Sequence, residues 1–177
     1  MGSKRYSAGA GRVALVGVLT ALSIVVLYLA AITPTGQLGV VAIAGLMPAA
    51  AVVSANLPAG VFCYAATGIL GLIVVPGVGN AALYLVFFGL YPLVKCVIER
   101  LRKLPVEWVC KLVFFNLALT ACWFFLRAAL LSGLPAYFEQ LWVLYLTGNV
   151  VFVIYDFGFS KLIALYAARI DKAVRRS

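Results

Sequence analysis

The chain has 177 residues, of which 66% are hydrophobic and 11% charged; soluble domains carry about a quarter charged residues, so a water-soluble fold is excluded. Lys and Arg number 14 against 5 Asp and Glu, a net charge of +9. The basic residues flank apolar runs, where they set topology and meet anionic headgroups rather than nucleic acid. There is no histidine, which excludes His-based triads, HExxH zinc sites and imidazole proton shuttles.

A spanning helix needs about 20 apolar residues. Lys4, Arg5 and Arg12 precede the first run, 13–32. That run is longer than a signal-peptide core of about 7–15 residues, so it reads as a retained first helix. Thr33-Pro34-Thr35-Gly36-Gln37 ends it, and the second run, 39–55, contains Pro48 as a kink. After Asn56-Leu57-Pro58 the third run covers 59–75 and stops at Pro76-Gly77-Val78-Gly79. The fourth, 80–98, leads into Glu99-Arg100-Leu101-Arg102-Lys103-Leu104-Pro105, the only strongly charged internal loop. The fifth is 106–131, a loop follows from Ser132 to Gln140, and the sixth is 141–168 before a basic tail.

The whole of 1–177 therefore reads as one integral membrane domain, an all-α polytopic bundle of six transmembrane helices. Runs two and three are short, and a shallow re-entrant hairpin covered by protein is the alternative for them. Either way the later loops keep their sides. The N-terminus, the loop at 99–105 and the tail with Arg169, Lys172, Arg175 and Arg176 are basic, whereas the loops at 33–38, 76–79 and 132–140 hold no Lys or Arg. The positive-inside rule then places both ends in the cytoplasm, as expected for a multi-pass plasma-membrane protein. Cys63, Cys96, Cys110 and Cys122 lie in apolar runs with no CxxC pair and read as small buried hydrophobes.

Polar residues inside spans are costly and count as functional candidates. Helical spacing puts Asn80, Tyr84, Phe87, Tyr91 and Lys95 on one face of the fourth helix. Asn116, Thr120, Trp123 and Arg127 share a face of the fifth, and Trp142, Tyr145, Asn149, Phe152 and Asp156 a face of the sixth. These stripes should face the bundle interior, for packing alone or around a site. Counted inward from the outer helix ends, Lys95, Asp156 and Asn116 share a depth near the inner boundary. An ion pair between Lys95 and Asp156 is expected there, structural or as a coupling or proton site, with Lys111 and Lys161 reaching for the inner headgroups.

Arg127 is the one basic residue in the outer part of a helix. Tyr84, Trp123 and Tyr145 share its depth, Asn149 and Asn80 lie on the same stripes, and Glu139 is on the adjoining loop. Aromatic walls with a few convergent polar groups are the usual form of a small-ligand site, and Arg127 would take a carboxylate or phosphate through its planar fork. The alternative is an Arg127–Glu139 structural pair, or an Arg127 side chain that snorkels outward. In the first helix Gly17-x-x-x-Ala21 permits close helix approach.

The stretch Arg12-Val-Ala-Leu-Val-Gly17-Val-Leu-Thr-Ala21-Leu, together with the polar outer clusters on helices four to six, resembles the S component of energy-coupling factor transporters. In that family a small six-helix chain captures a micronutrient from outside, and small residues on its first helix dock on the energising subunits. The resemblance implies a substrate-binding membrane subunit with Gly17 and Ala21 as partner-docking residues. Its partners would be a membrane coupling subunit and ATPases, because this chain has no P-loop. No cofactor is implied. The second reading is a non-transporting membrane scaffold of the shape-determining kind, in which the stripes serve packing. An enzyme is not expected, since the chain has only two aspartates, Asp156 and Asp171, and no histidine.

Overall fold

The computed structural model describes residues 3–131 and 140–174, and the side chains of 10–125 and 140–169. Six helices in it are long and apolar enough to cross a membrane. They are α1 (Ser3–Ile32), α2 (Gln37–Ser54), α3 (Leu57–Val74), α4 (Val78–Leu101), α5 (Leu104–Leu131) and α6 (Leu141–Val174). The helices outrun the apolar runs at α1 and α6 because the flanking Lys, Arg and Ala residues are themselves good helix formers.

The two short runs form two separate helices, each of 18 residues. Asn56 starts α3: its Oδ1 accepts from the Ala59 N–H at 2.9 Å, with Pro58 in the first turn, a position that needs no amide hydrogen. α2 is interrupted at Gly45, between the stretches Gln37–Ala44 and Leu46–Ser54. Pro48 has no N–H for the carbonyl of Ala44, one turn back. Ser23 of α1 supplies the missing donor, its hydroxyl lying 3.1 Å from the Ala44 oxygen. A Cβ at Gly45 would sit 2.3 Å from the Phe88 carbonyl oxygen of α4, so this crossing admits only glycine.

α4 is the central element, and half of its most apolar stretch is buried, against a third or less elsewhere. It is regular to Leu83, then widens over Tyr84–Phe88, where the Gly89 N–H bonds to the Tyr84 carbonyl five residues back at 2.7 Å. Regular helix resumes over Tyr91–Ile98 and tightens over Glu99–Leu101. The expected charged loop is thus partly helix, and Glu99 belongs to α4. α1, α2 and α3 pack on one another, α4 lies against α2, α3 and α5, and α6 packs on α5 and the second half of α2. Rings fill the space between α4, α5 and α6: Phe115 stacks on Phe152 at 4.5 Å, and Phe87 on Tyr91 at 5.6 Å.

Candidate functional site

At one end of the bundle four charges from three helices meet. Lys95 and Glu99 come from α4, Lys111 from α5 and Asp156 from α6. Lys95, Lys111 and Asp156 are 3–5% exposed; only the Glu99 carboxylate reaches the surface. Lys95 Nζ donates to Asp156 Oδ1 and, at 2.7 Å, to Glu99 Oε1. Lys111 Nζ lies 2.9 Å from Glu99 Oε1 and 3.2 Å from Asp156 Oδ2. The Tyr91 hydroxyl donates to Asp156 Oδ1. Two cations and two anions cancel, and each buried charge has at least two partners, the condition under which an ion cluster survives in a low dielectric.

The expected Lys95–Asp156 pair is present, with two corrections. Lys111 does not reach for headgroups, because two carboxylates lie within reach of its ammonium. Asn116 is not in the cluster. α5 and α6 run antiparallel in a register that sets Asn116 opposite Asn149, which is about two turns, or ~10 Å, from Asp156. The two amides bond reciprocally, at 3.0 and 3.1 Å. Each also donates one turn back, Asn116 to the Leu112 carbonyl and Asn149 to that of Tyr145, both at 2.8 Å. One turn further along, the Thr120 and Tyr145 hydroxyls meet at 2.6 Å. A polar ladder therefore joins α5 to α6, with its rungs committed to each other.

The remaining expected site residues are distributed. Trp123 packs with Tyr145 against the Phe87–Phe115–Phe152 core. Tyr84 is fully buried on a different face, stacked on Tyr64 of α3 at 6.0 Å and grouped with Leu27 of α1 and Val41 of α2. The wide turn of α4 rotates it away from the stripe that a regular helix would give. Its hydroxyl lies beside Thr67 and Ser23 outside hydrogen-bonding geometry. Asn80 is buried near the start of α4. Trp142 is exposed, its Nε1 donating to Gln140 at 3.1 Å. Glu139 and the Arg127 side chain lie outside the described residues, although the Arg127 backbone belongs to α5. Gly17 and Ala21 are exposed on α1, and a Cβ at Gly17 would meet nothing within 4 Å, so this pair is not used for packing inside the chain.

Between the ladder, α2 and α4 there is a cavity of about 380 Å³, toward the end of the bundle opposite the charges. Leu38, Leu83, Phe87, Phe115, Leu119 and Phe152 contribute much of its wall. Small residues on the wall, Gly39, Ala42 and Ala118, leave the space open. Tyr155 also lines it, and its buried hydroxyl has no partner among the described residues. Sequence reading missed this cavity because its makers are ordinary apolar residues; the one available signal was Gly and Ala at the depth of the aromatic stripes. Among the described residues no group of three or more His, Cys, Asp or Glu could hold a metal. No protein-family model matches the sequence, and neither do characterised proteins or solved structures.

Proposed function

We propose that the chain is the ligand-capturing membrane subunit of an uptake transporter, similar in plan to an S component, with both ends in the cytoplasm of a bacterial plasma membrane. The observation that carries this reading is the apolar, ring-lined cavity among α2, α4, α5 and α6. Its size falls in the range of small-molecule sites, about 300–1,000 Å³. It lies away from the basic end, hence toward the outer side under the positive-inside rule. The lining favours a ligand with an apolar or aromatic body. Arg127 lies on α5 about 7.5 Å beyond Cys122 of the cavity wall and is the candidate for an anionic end of that ligand. The bare Gly17–Ala21 face of α1 suits close docking of a coupling subunit, and ATPase partners would supply the energy.

Small molecules retained by the purified chain, extracted and identified by mass spectrometry, test this reading. Ala118→Leu fills the cavity from its buried wall, and Arg127→Ala removes the cation. Each should weaken ligand binding by about tenfold or more, since one charge-assisted bond or one lost apolar contact is worth roughly 1.5–3 kcal/mol. Retention of the same ligand at the same affinity by both variants would overturn the assignment. The second reading is a scaffold, favoured by the mutual satisfaction of Asn116, Asn149, Thr120 and Tyr145. A chain holding no small molecule but forming a stable complex with morphogenesis proteins would decide for it.

A further inference from the structure

A groove of about 410 Å³ lies at the charged end of the bundle, between the second half of α2, the end of α4 and α6. One wall is apolar, built from Val52, Val53 and Ile163. The other carries Lys95, Glu99, Arg100 and Arg102. Glu99 is already matched by Lys95 and Lys111, at 2.7 and 2.9 Å. Arg100 and Arg102 have no carboxylate partner among the described residues, so the groove carries their two positive charges in excess. Arg102 also closes α4 with a φ of 53°, where it is the only non-glycine residue described with positive φ. Glycine or asparagine is usual at that position, yet an arginine takes it and lines the groove.

We infer that this groove binds the phosphate-bearing headgroup of an anionic phospholipid. The guanidinium groups of Arg100 and Arg102 take the phosphate oxygens, a planar fork being the best match for them. The Val52–Val53–Ile163 wall takes the first methylenes of the acyl chains. Val53 is itself 38% exposed, so that wall continues into the lipid-facing surface, as a free aqueous anion would not require. Basic pockets between spans at the cytoplasmic boundary are the usual lodging of such headgroups. A seated headgroup would also cover Glu99, the one member of the charge cluster that reaches the surface. This inference is independent of any ligand in the cavity at the other end.

The test uses the 177-residue chain in detergent, titrated with phosphatidylglycerol, phosphatidylcholine or inorganic phosphate, with retained molecules counted by native mass spectrometry. The wild type should retain phosphatidylglycerol in preference to phosphatidylcholine and should not retain inorganic phosphate. Arg100→Gln with Arg102→Gln should weaken phosphatidylglycerol binding about a hundredfold or more, through loss of two charge-assisted contacts to the phosphate. Val53→Glu, which leaves both arginines in place, should weaken it too. Lys103→Gln with Lys161→Gln, basic residues outside the groove, should change it by less than about twofold. Equal retention of the two lipids, an equal loss in the Lys103 and Lys161 variant, or tight retention of inorganic phosphate by the wild type would each overturn the inference.

Discussion

Replacing Asp156 by asparagine keeps the side-chain shape and removes one charge from a neutral four-charge cluster. Lys95 and Lys111, both under 6% exposed, would be left to share the Glu99 carboxylate, a net charge of +1 with little access to solvent. Breaking a buried ion cluster from one side costs about 3–5 kcal/mol. Most of that is the cost of the uncompensated ammonium rather than the worth of the lost bond. Lys95→Met should cost a similar amount with the opposite excess charge. The double variant Asp156→Asn with Lys95→Met restores neutrality, leaving Lys111 with Glu99 at 2.9 Å. It should therefore be less destabilised than the sum of the singles by about 2–3 kcal/mol. Equilibrium unfolding in mixed micelles would report this through tryptophan fluorescence, since the Lys111 ammonium lies 5.6 Å from the Trp108 ring centre. Additive costs, or a single variant within about 0.5 kcal/mol of the wild type, would refute the picture of a closed neutral cluster.

Three further outcomes follow from the packing. Asn116→Ala should destabilise by only about 0.6–1.7 kcal/mol, the measured range for bonds between membrane helices, and Asn149→Ala should add little to it; unfolding of the single and double variants checks both. Gly45→Ala drives a methyl against the Phe88 backbone oxygen and should cost about 2 kcal/mol or more, whereas Gly17→Ala meets open space and should stabilise α1 by about 0.5–1 kcal/mol; thermal scans separate them. Ser23→Ala should cost about 1–2 kcal/mol by leaving the Ala44 carbonyl unpaired, and the same change should be near neutral in a Pro48→Ala background, where residue 48 regains the N–H that reaches Ala44.

Six hydrophobic runs, their breaks and the Lys95–Asp156 pair are legible in the sequence because apolar length and the cost of buried charge act locally. What the sequence hides depends on register between helices. The depth count placed Asn116 beside Lys95 because it measured from helix ends. The antiparallel seam of α5 and α6 instead pairs Asn116 with Asn149 and leaves Lys111 to face Asp156. Tyr84 escaped its stripe for a second reason. A period of 3.6 residues carries it onto the face of Phe87 and Tyr91, but the wide turn over Tyr84–Phe88 changes the period just there. No single-residue signal marks such a turn, although Pro92 and Gly89 lie directly beyond it. The cavity was hidden because it results from what Gly39 and Ala118 lack, not from what any residue carries.

α4 serves two sides of the bundle, packing on α1, α2 and α3 with one face and on α5 and α6 with another. Its Tyr84 belongs with Leu27, Val41 and Ala44 of α1 and α2, while Phe87, Tyr91 and Lys95 face α5 and α6. The wide turn makes the change of face, and the Gly45–Phe88 crossing fixes α2 against that same turn. The consequence is a continuous path of contacts along the bundle. Phe87 lines the cavity and stacks on Tyr91 at 5.6 Å, and the Tyr91 hydroxyl bonds to Asp156 in the charge cluster. Phe152 touches the same rings from α6, at 6.1 Å from Phe87 and 5.4 Å from Tyr91. The apolar cavity and the charge cluster are therefore linked through α4, by the ring contact of Phe87 on the cavity wall with Tyr91 and by the bond from the Tyr91 hydroxyl to Asp156.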